Sequence, residues 1–77
     1  MSRPFKVNTR EIEPVPAPHQ QAVADALQAM LADITAAELF EALEAGPDTL
    51  GLGPVLLVYE VDLEQRIVTV RRYLWLG

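Results

Sequence analysis

Near the end of the chain, Arg71-Arg72-Tyr73 is followed by Trp75, and no other cluster offers as much chemistry. Guanidinium groups beside aromatic rings can hold phosphate and stack on bases. The same residue types also snorkel over a sheet rim, or anchor subunit interfaces, where Arg, Tyr and Trp are enriched. In a strand, Arg71, Tyr73 and Trp75 share one side while Arg72, Leu74 and Leu76 share the other. An acidic chain with an apolar C-terminal end favours contact with protein over contact with nucleic acid. The expected interface residues are Arg71, Tyr73, Trp75 and Leu76.

Other constellations carry less. Nucleophilic catalysis lacks its parts, because the chain has no cysteine, Ser2 is its one serine and His19 its one imidazole. His19 stands beside Pro18 at an expected helix start, where an exposed first-turn residue is the plain reading. Gly51-Leu52-Gly53-Pro54 precedes a strand, whereas a phosphate cradle needs a helix N-terminus behind it. Glu38, Glu41 and Glu44 recur every three residues and read as a solvated helix face. With Asp25 and Asp33 that face could meet a basic partner. Hard metals need ligands converging from several elements, so no metal site and no cofactor are expected.

The elements that must position these residues belong to one small domain of 77 residues. A chain this short buries only about 60% of its unfolded surface. Without cysteines or a zinc ligand set, its core rests on hydrophobic burial or on a partner subunit. Apolar residues make up 51% and charged residues 22%, a globular composition. The net charge of −5 disfavours phosphate backbones as general partners. The uncharged run Thr49–Tyr59 spans too few residues for a bilayer. Arg3, Lys6 and Arg10 have no apolar run behind them, so no signal peptide is read and a cytoplasmic location is expected.

Val55–Val61 and Ile67–Leu76 are dense in β-branched and aromatic residues, and a polar stretch, Asp62–Arg66, separates them. They read as one long hairpin with an even-length loop. If Asp62 faces Gln65, then Leu57, Tyr59, Val68 and Val70 gather under the helices, and Glu60, Thr69 and Arg71 share the other face. Pro4–Thr9 alternates weakly and fits an edge strand. Residues 1–13 thus form an N-terminal strand or arm, and 14–18 a proline-rich spacer.

A first helix is expected from Pro18 or His19, with Ala22, Val23, Ala26, Leu27, Met30, Leu31 and Ile34 as its apolar stripe. Thr35-Ala36-Ala37-Glu38 reads as a capping box opening a second helix, with Ile34 and Leu39 as its hydrophobic staple. On that reading Leu39, Phe40 and Leu43 are buried, Gly46 is the stop, and Thr35→Ala costs about 1 kcal/mol. Asp48–Pro54 then forms a loop holding at most an irregular strand at Thr49–Leu52. The expected fold is α+β in the order β-α-α-β-β: a small antiparallel sheet, made of the C-terminal hairpin and an N-terminal edge strand, packed against two short helices.

This element order, with Val58-Tyr59-Glu60-Val61-Asp62 and Ile67-Val68-Thr69-Val70, resembles the RelE/ParE toxin superfamily. The resemblance covers roughly Gly53 to Leu76 in sequence. It implies a ribosome-dependent mRNA endonuclease of a toxin–antitoxin system, cutting with basic residues on the sheet. The chain departs from the family there. Leu56 stands where an arginine is common, and Leu74, Trp75 and Leu76 stand where a basic or histidine pair closes the last strand. Only Arg71, Arg72 and Tyr73 could substitute. A nuclease lacking those cations has little to stabilise a phosphorane. The expectation is therefore a non-catalytic protein-interaction domain of RelE/ParE-like fold, self-associating as a homodimer or binding a protein partner, with no membrane contact and nucleic acid disfavoured. The toxin-like nuclease is the alternative.

Overall fold

The computed structural model describes residues 4–77, so Ser2 and Arg3 lie outside the described residues. Its elements are β1 (Lys6–Asn8), α1 (Ala17–Leu39), β2 (Gly46–Leu52), β3 (Val55–Asp62) and β4 (Ile67–Trp75). The strands form one sheet in the order β1-β4-β3-β2. β1 runs parallel to β4, and the other neighbours are antiparallel. The fold is α+β as expected, with the helix covering one face of a mixed sheet. The N-terminal strand is present but reduced to three residues.

The hairpin forms with the expected parity. Its loop, residues 63–66, has an even length, and Asp62 faces Ile67 rather than Gln65. That shift of two positions leaves every side chain on its expected face. Val55, Leu57, Tyr59, Val61, Val68 and Val70 are buried beneath the helix. The loop closes through Asp62 Oδ1, which accepts from the Gln65 N–H at 2.9 Å, and through Arg66 at a φ of +57°.

Alternation fails beyond Val70. Tyr59 faces Val70 but Val58 faces Arg72, so Arg71 is an extra residue in β4. Such a bulge reverses the facing of everything after it. Tyr73 and Trp75, opposite Leu57 and Val55, therefore return to the helix face, while Arg72 and Leu74 turn outward with Val58 and Leu56. Without the bulge, Tyr73 and Trp75 would stand on the uncovered face, where the sequence placed them.

One helix replaces the expected two. It begins at Ala17, one residue before Pro18, and runs unbroken through Thr35 to Leu39. Val23, Ala26, Met30 and Ile34 are its buried stripe, at spacings of three and four. Thr35 is no cap: its hydroxyl donates back to the Leu31 carbonyl at 2.8 Å, a bond a threonine makes inside a continuing helix. The stop comes early. Glu41 N–H donates to Glu38 O and Ala42 N–H to Ala37 O, with Glu41 at a φ of +57°. This is the Schellman pattern, with glutamate where glycine is usual. Leu39 and Phe40, expected in the core, are instead 77% and 78% exposed, and only Leu43 packs against it.

The early stop releases Gly46–Leu52 into a full strand, where a shortened loop was expected. β2 pairs with β3 from Gly46↔Val61 to Leu52↔Val55. Gly46 is a strand residue at a φ of +114° rather than a helix terminator. The connection to β3 is the pair Gly53-Pro54, with Gly53 at a φ of +57°. A glycine at the first position of a two-residue loop supplies the positive φ a tight hairpin demands, and proline's fixed φ suits the second.

Candidate functional site

The bulge scatters the cluster that looked most capable of chemistry. Arg71 reaches Glu60 at 3.3 Å on the neighbouring strand and also pairs with Glu11 from the N-terminal segment. These two carboxylates hold its guanidinium charged, above its ordinary range. Arg72 is exposed on the outer face. Tyr73 is half-buried against the core, Trp75 is 39% exposed at the rim, and Leu76 is 63% exposed. The Leu76 N–H donates to Pro54 O at 2.6 Å. Arg71 is thus held by two carboxylates, and Arg72 and Tyr73 stand on opposite faces of the sheet.

His19 and Trp75 come together instead. Their rings stack with centroids 3.6 Å apart and planes 6° from parallel. His19 is therefore half-buried rather than a free first-turn residue, and its buried Nδ1 has no hydrogen-bond partner among the described residues. Beside the stack runs a groove of about 450 Å³. Glu11, Ile12, Glu13 and His19 form one wall, and Arg72, Tyr73, Leu74 and Trp75 form the other.

The glutamates expected along one helix face are split by the early stop. Glu38 remains on α1 and accepts from both Arg66 guanidinium nitrogens, at 2.5 and 2.9 Å. That hydrogen-bonded pairing lowers the Glu38 carboxyl below its ordinary value. Arg66 also lies 4.2 Å above the Phe5 ring, and its carbonyl accepts from the Lys6 N–H at 3.0 Å. One residue thereby joins the helix end, the hairpin loop and the N-terminal segment. Glu41 and Glu44 leave the helix, and among the described residues no three acidic or histidine side chains are grouped to hold a metal ion.

A second hollow, of about 180 Å³, has Asp33, Glu44, Asp48 and Tyr59 in its lining. Asp48 faces Tyr59 across β2 and β3. Burial first, then the charges of Asp48 and Asp33, push the Tyr59 phenol up to about 12. A phenol so reluctant to ionise is a poor base or nucleophile at neutral pH. Between Asp48 on β2 and Val70 on β4, and buried in the core, its place is structural.

Sequence reasoning overlooked the His19–Trp75 stack, the Arg66 junction and the Asp48–Tyr59 pair. The first depends on the bulge, which no local residue pattern marks. The second joins residues far apart in sequence, Phe5, Glu38 and Arg66, which no local pattern links. The third follows only once β2 is recognised as a strand.

Fold and site define a small α+β domain, one helix over a four-stranded mixed sheet, with an aromatic stack at one corner and paired arginines. No family model, curated protein or solved structure matches the chain. Among the described residues, no helix is long and apolar enough to cross a membrane.

Proposed function

We propose that this domain works by protein–protein contact, without catalysis, and that it self-associates. The observation that carries the reading is the uncovered side of the sheet. α1 roofs one face only, and by register the other presents Leu56, Val58 and Leu74 beside Thr49, Gly51 and Arg72, with Ile67 set apart from them by Glu60 and Thr69. Leu56, Val58 and Ile67 are already half-buried by their neighbours, and Leu74 is 37% exposed. The Leu56–Val58–Leu74 strip is apolar and rimmed by the charges of Glu60 and Arg72, and an apolar strip with a polar rim gains stability when a second surface covers it.

The RelE/ParE likeness remains part of the proposal. An N-terminal strand, a helical layer and then consecutive antiparallel strands support it, in the order the likeness implies, less one helix. Within that frame Arg71 bears on the choice between binding and cleavage. Its charge is matched by Glu11 and Glu60, which leaves little field for a developing phosphorane.

Size-exclusion chromatography with light scattering, from low to high micromolar concentration, tests self-association. A dimer whose fraction rises with concentration is expected, and a monodisperse monomer throughout overturns the reading. Expression in bacteria addresses the nuclease alternative. Growth arrest relieved by Arg71→Ala with Arg72→Ala would replace the present proposal with that one.

A further inference from the structure

We propose that residues 4–16 form a strap that lifts off the edge of β4 as one unit while the rest of the fold stays closed, and that the Arg71–Glu11 pair governs how often it lifts. The device guards a sheet edge and stands independently of the self-association proposed above.

The strap holds no part of the central core. Every buried core residue among those described lies between Val23 and Val70, whereas the strap adds only the half-buried Phe5, Val7, Ile12 and Val15. The helix and strands β2 to β4 therefore keep their shared interior when it leaves. Its backbone seat is short. β1 pairs with β4 only from Lys6↔Ile67 to Asn8↔Thr69. The chain then turns away, with Asn8 Oδ1 accepting from the Arg10 N–H and Thr9 O from the Ile12 N–H. Past that turn, a groove of about 450 Å³ opens between residues 11–13 of the strap and Arg72 to Trp75 of the strand. Pro14 and Pro16 have no N–H with which to tie the segment down before α1 begins.

Two arginines fasten the strap, one near each end. The Arg66 guanidinium lies 4.2 Å above the Phe5 ring, and the Arg66 carbonyl accepts from the Lys6 N–H. That guanidinium is also bonded to Glu38 at the helix end, which keeps it with the body of the fold. Arg71 is anchored likewise by Glu60 on β3 and reaches Glu11 with its other terminal nitrogen. Both cations thus grip the strap from positions fixed elsewhere. Arg71 and Glu11 are 44% and 47% exposed, so water and salt compete with their attraction. Segments with few buried contacts are the ones that open locally without global unfolding. Closed, the strap fills the outer edge of β4 at Ile67 to Thr69. Open, it bares N–H and C=O groups of the kind that invite unwanted pairing.

Amide hydrogen exchange, followed by NMR on the intact chain, tests this. The Lys6 N–H reports opening of the strap, and the amides of β3 report global unfolding. Lys6 is expected to exchange faster than β3, at a rate that low urea leaves unchanged. Glu11→Gln should speed Lys6 exchange about two- to fivefold, the usual worth of an exposed ion pair, with β3 unaffected. Added salt should do the same to the unmodified chain and little to Glu11→Gln. Lys6 lies at the far end of the strap from Glu11, so its response reads the segment as a unit. Glu60→Gln removes the other partner of Arg71 without touching the strap, and should not accelerate Lys6. Lys6 exchanging at the β3 rate, or unmoved by Glu11→Gln, overturns the proposal, as does equal acceleration by Glu60→Gln. The oligomeric state by light scattering bears on the self-association alone.

Discussion

Trp75 lies flat against His19, 3.6 Å between ring centroids, although simple alternation along β4 would send the indole to the opposite face of the sheet. The bulge at Arg71 makes the contact. It turns the last turn of the strand over, and the helix start at Ala17 supplies the imidazole. The contact pins the first turn of α1 to the end of β4. That matters because α1 has no side-chain N-cap: Pro16 occupies the position, and Pro18 follows inside the first turn.

Replacing His19 by alanine removes the stack and leaves the rest of the core intact. Stacked aromatic pairs contribute about 0.5–1.5 kcal/mol beyond their buried area, and His19→Ala should lower stability by about that much in urea. Trp75 is the chain's one tryptophan, so its fluorescence reports the same event. A red shift in folded His19→Ala is expected as the indole gains water. An unchanged spectrum and midpoint would show that the stack contributes nothing.

Tyr59 sets an alkaline limit. Its phenol is pushed up from 10.0 to about 12 in the fold, so the folded state holds the proton more tightly than the unfolded chain does. The sign follows from linkage. This contribution is complete below pH 10 and is lost as pH rises through about 12. Unfolding followed by circular dichroism should therefore show stability falling across that window. Tyr59→Phe should flatten the fall, since no proton is then released. A Tyr59→Phe variant with the same alkaline slope would assign the loss to other groups.

The hairpin and the buried stripe of α1 were legible because each obeys one period over many residues. Val55 to Val61 alternate, and Val23, Ala26, Met30 and Ile34 recur at helical spacing. What was illegible turned on single residues that break a period. Thr35 to Glu38 satisfies a capping box in spelling, yet the helix runs straight through it. Propensity over Ala36-Ala37-Glu38-Leu39 favours continuation, and Ile34 is already committed to the core. Gly46 looked like the stop, but Glu41 adopts the left-handed conformation first. Along the end of the hairpin, one inserted position inverted the facing of Arg72 to Trp75 from that of simple alternation.

The continuous helix reverses the expected sign of a familiar substitution. As an N-cap, Thr35 would cost about 1 kcal/mol to replace with alanine. Inside a helix, bonded back to Leu31, it is exposed and β-branched. Alanine there should gain about 0.5 kcal/mol through propensity alone. Urea unfolding of Thr35→Ala decides between the arrangements, because a loss near the capping value would require the helix to break at Thr35.

Glu41 carries the complementary test at the true helix end. A non-glycine residue in the left-handed region costs roughly 1–2 kcal/mol, and glycine adopts it freely at an entropic cost of about 0.5–1 kcal/mol. Glu41→Gly should therefore stabilise the fold by about 0.5–1 kcal/mol, since its side chain is exposed and forms no ion pair among the described residues. Glu41→Val should do the reverse, because a β-branched side chain tolerates that backbone least. If both substitutions shifted the midpoint in the same direction, the chain would not reverse at Glu41. Leu39 and Phe40 would then belong to a longer helix whose next turn, Ala42 to Ala45, displaces the start of β2 from Val61.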